Sequence, residues 1–262
     1  MKRRMVLLSG AVSVFALMAM FVIPLLQSRI ERQTQIAEQE HIAKPSVEHP
    51  SSQSSVASRV SSAASSGLAT RAEVNWDVPF TVQAPLGVWD ALHGEACEEA
   101  SILMVMRYFS NQRISSPDDA ENAIQHLVAA NAALGYAVDD TAAEVIKLLQ
   151  SEDSSLSATL LKNPSIDDLK SVLSAGSLVI VPAAGRELHN PYFQRPGPLY
   201  HMLVLRGYTK DGYVITNDPG TKHGEQYAYR WEVLMNAMHD WNGGEVEAGQ
   251  KVVVVVSATG MN

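Results

Sequence analysis

Between Cys97 and Phe109 no glycine or proline interrupts the chain, and Cys97, Ala100, Ser101 and Met104 recur at i, i+3, i+4 and i+7, the spacing of one helix face. A second helix is predicted from Ser116-Pro117-Asp118-Asp119, a capping serine followed by proline and two acids, and its pattern runs to Leu134 and stops at Gly135. A third follows Asp140 and ends near Leu149, and a fourth starts after Ser165 and ends before Gly176. The texture then changes. Leu178–Val181, His201–Leu205, Tyr213–Thr216 and Val252–Val256 are β-branched or apolar runs bounded by turn residues, as strands are. Lys210-Asp211-Gly212 joins the second and third of these as a tight hairpin, which makes them antiparallel neighbours. Val78–Gln83 reads as a short extended run, and Arg230–Trp241 as one more helix. Helices first and strands later predict an α+β fold over residues 76–258, with an N-terminal helical half packed on a C-terminal antiparallel β-sheet and a four-residue tail at 259–262.

Ahead of this domain the pattern is of another kind. Residues 5–26 are an uninterrupted uncharged stretch, preceded by Lys2, Arg3 and Arg4 within a four-residue cytoplasmic segment, 1–4. A bilayer core of about 30 Å needs about 20 helical residues, so the stretch is long enough to span. Its end, Pro24-Leu25-Leu26-Gln27-Ser28, offers no small-x-small cleavage site, which favours an uncleaved transmembrane signal anchor over a secreted, cleaved product. Residues 27–75 read as a disordered tether: nine of the sixteen residues in Ser51–Ser66 are serine, and none is aromatic. The domain beyond it is thereby expected outside the cytoplasm, in a periplasm or at the cell exterior.

Charge and cysteine content narrow the chemistry. Residues 76–262 carry twelve basic and twenty-three acidic side chains, a net charge of −11. Phosphate backbones are met by clusters of Lys and Arg, so nucleic acid is not an expected partner. The chain holds one cysteine, which excludes a disulfide framework, an iron–sulfur cluster and a thiolate-rich zinc site.

That cysteine, Cys97, sits at the predicted start of a helix, after Gly94-Glu95-Ala96. A helix N-terminus presents free N–H groups and partial positive charge, which lower a thiol pKa from about 8.5 toward neutral. Glu98 and Glu99 oppose that trend, so the thiol needs a cationic partner, and histidine is the expected one. Of eight histidines, His201 is distinctive, because it begins the most apolar strand after Pro196-Gly197-Pro198 and projects from a rigid element. The next strand ends in Asn217-Asp218-Pro219-Gly220, and the intervening hairpin brings His201 and Asp218 to the same end of the sheet. A carboxylate there orients an imidazole and balances its charge. Gln83, fourteen residues before Cys97, is a candidate second donor of an oxyanion hole beside the Cys97 backbone N–H. His93 with Cys97 and His201 could supply three zinc ligands, but Gly94 interrupts any helix that would align the first two, and no metal or cofactor is expected. Trp76, Trp89, Tyr192, Phe193 and Tyr200 flank these residues in sequence; core packing is the default for all five, with Trp89 a candidate cleft wall.

Gln83 ahead of a helix that opens on Cys97, then His201-Met202-Leu203-Val204-Leu205 with Gly207-Tyr208, then Asn217-Asp218-Pro219, resembles the papain-like cysteine peptidases. The nearest branch is the bacteriocin-processing (double-glycine) peptidases and their bacterial, C39-like relatives, over most of residues 78–256. The family's helix usually reads Cys-Gly-x-Ala, where this chain has Cys97-Glu98-Glu99-Ala100. The resemblance implies a papain-like fold, Cys97 as nucleophile, His201 as base and later acid, Asp218 as orienter and Gln83 as oxyanion donor. It also implies a thiol hydrolase acting on a peptide or protein, which the apolar stretch at residues 5–26 would hold at a membrane. The alternatives on the same fold are a catalytically silent peptide-binding module and a thiol acyltransferase.

Overall fold

A computed structural model describes residues 71–260 of the chain; the apolar stretch 5–26 and the tether as far as residue 70 lie outside the described residues. Among the described residues no helix is long and apolar enough to cross a membrane. The elements in order are β1 (Val74–Asn75), α1 (Cys97–Phe109), α2 (Pro117–Leu134), α3 (Ala142–Glu152), β2 (Leu156–Lys162), α4 (Ile166–Ser174), β3 (Leu178–Ala184), β4 (Tyr200–Tyr208), β5 (Tyr213–Asn217), β6 (Tyr227–Arg230), α5 (Trp231–Ala237) and β7 (Val252–Ala258).

The helices begin and end where local chemistry dictates. Ser116 accepts from the Asp119 N–H ahead of α2, and Gly135 closes that helix in the left-handed region at φ 83°. Thr141 with Glu144 and Ser165 with Asp168 form capping boxes for α3 and α4. The helix at Asp140 runs three residues past the expected Leu149, to Glu152.

All seven strands share one sheet of order β2-β7-β3-β4-β5-β6, with β1 added against the end of β4, and every pairing is antiparallel. The expected hairpin joins β4 to β5, with a bulge between Leu205 and Gly207. A Cβ on Gly207 would overlap the Val74 carbonyl, so glycine is what lets β1 lie across β4 at this point.

The helices pack on the antiparallel sheet, as expected of an α+β fold, and they cover both of its faces. Val179, Val181, Leu203, Leu205 and Val253 form one core with Leu169 and Leu173 of α4 and with Trp231 and Leu234 of α5. The alternate strand residues, Ile180, Met202, Val204 and Val254, are also fully buried, and α1 and α3 pack on the same strands. A sheet covered on both faces favours apolar residues on both sides of its strands, so β3 and β4 are buried along their whole length, and Met202–Leu205 is apolar at every position.

Other differences have local causes. β2, not expected from the sequence, is an edge strand along β7 whose outer residues are half exposed, so its apolar signal is weak. β6 is only four residues long. The helix expected over Arg230–Trp241 stops at Ala237, because Met238 turns extended and bridges to Ala183 while the His239 N–H donates to the Pro182 carbonyl. Residues 71–75, read as the end of the tether, belong to the domain: Val74 is buried in the sheet and the Arg71 carbonyl accepts from the Tyr208 hydroxyl. Val78–Gln83 forms no strand. The buried Arg206 guanidinium and the Asn217 amide both donate to the Val78 carbonyl, and the Gln83 N–H donates to Pro219, which ties the segment to the turn that carries Asp218.

Candidate active site

Cys97 is the first residue of α1, so its backbone N–H has no partner within the helix. Its position is set by the loop before it. Within that loop His93 is buried, with Nδ1 2.7 Å from Asp90 and Nε2 3.0 Å from the Glu121 carboxylate on α2. Gln83 closes the loop from the other side. Its amide Nε2 donates to the carbonyls of His93 (2.8 Å) and Gly94 (2.9 Å), which commits both hydrogens and leaves Oε1 buried without a partner. Gln83 therefore stands beside the loop that leads to Cys97, where it fastens that loop and presents no free donor. His93 likewise faces two carboxylates.

The opposite wall holds the imidazole. His201 is the second residue of β4, and its Nε2 lies 2.8 Å from Asp218 Oδ1 at the end of β5. This bond leaves Nδ1 as the ring's uncommitted nitrogen. Asp218 is fully buried and also accepts from the Tyr229 hydroxyl (2.6 Å), the Asn190 amide (3.2 Å) and the Gly220 N–H (3.0 Å). Burial alone would raise its carboxyl, but the neighbouring His201 and the hydrogen bonds from His201, Tyr229 and Gly220 more than offset this and hold it below the usual range. The Phe193 ring packs edge-on against His201 at 5.2 Å.

Gly220 sets the space for the ring. A Cβ there would stand 2.9 Å from His201 Cε1 and 2.8 Å from Phe193 Cε1. Gly220→Ala should therefore shift the imidazole by a few tenths of an ångström. The expected result is a loss of roughly 10²-fold in any reaction that runs through His201, with little change in Tm, read by parallel kinetic and thermal-melt assays.

Burial pushes the Cys97 thiol well up, and the negative charge and hydrogen bond of Glu98 add to it, while a backbone hydrogen bond with Met202 acts the other way. Sγ donates to Glu98 Oε2 at 2.9 Å, so the resting proton is directed at that carboxylate. No hydrogen bond joins the sulfur to His201 among the described residues. The opposition expected of Glu98 is thus present, and together with burial it outweighs the helix terminus.

Glu98 belongs to a buried acidic cluster. Burial, with the Glu99 and Asp139 charges, pushes Glu98 well up; burial takes Glu99 to about 7 and, with Glu95, Asp139 to about 7. Burial and the charges of Glu99 and Glu144 take Asp140 to about 8. In the unfolded chain these groups ionise near pH 4, so between about pH 4 and 8 the folded state holds protons that the unfolded state releases. Stability must fall as pH rises through that window. Tm should drop by roughly 5–10 °C from about pH 5 to about pH 8, and the variant Glu99→Gln with Asp140→Asn should flatten the slope.

The two walls enclose a cleft of about 1240 Å³. Cys97, His201, Gln83 and Gly220 line it, with Trp89 and Tyr192 at its rim, while Asp218 lies behind His201. Trp89 is 52% exposed and is a cleft wall, whereas Trp76 packs on the sheet core and donates to the Leu173 carbonyl. Tyr229, Asn190 and Gly220 around Asp218, and Asp90, His93 and Glu121 around the cysteine loop, were not expected from sequence. Gly220, directly after Asp218-Pro219, carried the nearest thing to a signal.

The family model of the Peptidase_C39 like family matches residues 76–243, which include Gln83, Cys97, His201 and Asp218. The chain belongs to this family. Among solved structures, it is similar to a C39-like protein from Bacillus anthracis, with 18% identity, a TM-score of 0.45, and coverage of 71% of this chain and 98% of the other. No curated protein matches it. Its α+β architecture with an antiparallel sheet is that of a C39-like protein.

Proposed function

We propose that this C39-like protein is a cysteine peptidase in which Cys97, His201 and Asp218 act together. The supporting observation is that Cys97 and His201 line one cleft while Asp218 holds His201 by Nε2, which leaves Nδ1 to take a proton. The reaction requires the Cys97 side chain to turn away from Glu98 so that the thiol meets that nitrogen. Sulfur then attacks the substrate's amide carbonyl, the thiol proton passes to His201, and Asp218 balances the ring's positive charge. The developing oxyanion lies at the start of α1, where the Cys97 N–H is free of helix partners. Gln83 adds its donation once one of its two carbonyl bonds is exchanged for the oxyanion. His201 returns the proton to the leaving amine, and water releases the acyl group. The test is alkylation by iodoacetamide at pH 6: a rate above that of free cysteine, lost in His201→Ala, supports the pair.

One observation favours a second reading, a peptide-binding module with unused chemistry. The thiol is pushed up and bound to Glu98. A Cys97 alkylation rate no faster than free cysteine, with peptide binding retained, would select that reading.

We propose further that residues 5–26 anchor the protein, with the domain outside the cytoplasm; the uncharged length and the Lys2–Arg4 cluster support this. Resistance of the membrane-bound protein to carbonate extraction, with the domain open to protease added from outside, checks it.

A further inference from the structure

The charges along the cleft run opposite to those of the domain. Residues 76–262 carry twenty-three acidic side chains against twelve basic ones. None of the acidic ones lines the cleft, whereas Arg195 and Lys222 do, with the His223 ring next to Lys222 and against Tyr192. All three are exposed, and neither Arg195 nor Lys222 makes an ion pair among the described residues. They project from the two loops that flank the imidazole. Arg195 follows Phe193, whose ring packs on His201, and Lys222 and His223 follow Gly220, whose N–H is bonded to Asp218. The His223 ring lies on the Tyr192 ring at 4.4 Å and 31°, which fixes its place on the wall.

Unpaired cations beside apolar rings suit a ligand that brings its own negative charge to a partly dehydrated surface. A neutral or basic peptide would leave them without partners. We propose that the cleft selects peptides that bear carboxylates close to the scissile bond, with Arg195, Lys222 and His223 as the specificity-determining wall. The inference rests on the peptidase reading for cleavage, but not for binding.

The experiment uses the full chain in detergent and fluorogenic peptides that differ only in the residues flanking one bond: Glu and Asp, Gln and Asn, or Lys. Each is made with a free and with an amidated C-terminus. Contacts of an exposed ion pair amount to a few-fold each, so the acidic peptides should exceed the neutral ones in kcat/KM by about ten-fold, and the lysine peptides by more. A gain that survives amidation assigns the contact to side-chain carboxylates, and one that vanishes assigns it to a terminal carboxylate. The preference should shrink as salt rises from about 50 mM to about 500 mM. Arg195→Glu with Lys222→Glu, at unchanged Tm, should invert the order in favour of the lysine peptides. Equal rates across the series, or an order that the double variant leaves unchanged, would overturn the proposal. If no peptide is cleaved, the peptidase reading fails, and fluorescence polarisation of the same peptides on Cys97→Ala still decides this one. Acidic peptides must then bind several-fold more tightly than neutral ones, and equal binding would overturn it.

Discussion

Cys97→Ala should abolish cleavage of a turnover-competent peptide, with a loss of roughly 10⁴-fold or more, and His201→Ala should lose about as much. The reason lies in how the groups depend on one another. Burial and Glu98 hold the thiol protonated, so the sulfur is a poor nucleophile without a base to take its proton. His201, with Nε2 tied to Asp218, is the base the cleft offers. Groups that act as a unit fail together, so the double variant should be no worse than either single one. Progress curves on a fluorogenic peptide measure this. Residual turnover within ten-fold of the parent in Cys97→Ala would end the case for a thiol nucleophile.

Asp218→Ala should be the most damaging change to the fold and site together. The carboxylate is fully buried and accepts from His201, Tyr229, Asn190 and the Gly220 N–H. Its removal leaves these donors facing an apolar void. Breaking one partner from such a buried charged network costs about 3–5 kcal/mol. In a domain of this size that is a fall in Tm of roughly 10 °C, measurable by calorimetry. Asp218→Asn retains an acceptor oxygen for His201 but loses the negative charge that balances the imidazolium. It should keep most of the stability and still lose roughly 10²–10⁴-fold in kcat. The two variants thus separate support of the fold from support of the ring. The lowered Asp218 carboxyl adds a matching pH signature. Its stabilisation is present above the unfolded value near 4 and disappears as pH falls through the lower folded value.

The elements differ in how far they could be read from the chain. The helix over Pro117–Leu134 was bounded to the residue, because Ser116 and Gly135 act through contacts within one turn. The β4–β5 hairpin was equally plain, since Asp211-Gly212 decides it locally. The pairing of His201 with Asp218 followed from that hairpin, because two strand ends across a tight turn have only one place to meet. β2 was missed because an edge strand pairs with β7, distant in sequence, and keeps a half-polar face. The early end of α5 was missed because the cause is a bridge to Ala183 on β3. Tyr229 and Asn190 give no local sign of their hold on Asp218; they reach it from β6 and from the loop after β3.

What the sequence determined by itself was therefore short-ranged: helix caps, the hairpin, the helix start at Cys97, and a histidine and an aspartate at adjoining strand ends. Capping, turn geometry and periodicity act within a few residues and leave their mark in order along the chain. Folding alone settled that the sheet is covered on both faces, that the Cys97 thiol donates to Glu98, that the Gln83 amide fastens the His93–Gly94 loop, and that the cleft wall is cationic in an acidic domain. Those features depend on burial and on pairs brought together by folding. The same carboxyl beside the same cysteine is a mild influence in water and a dominant one once both are out of it.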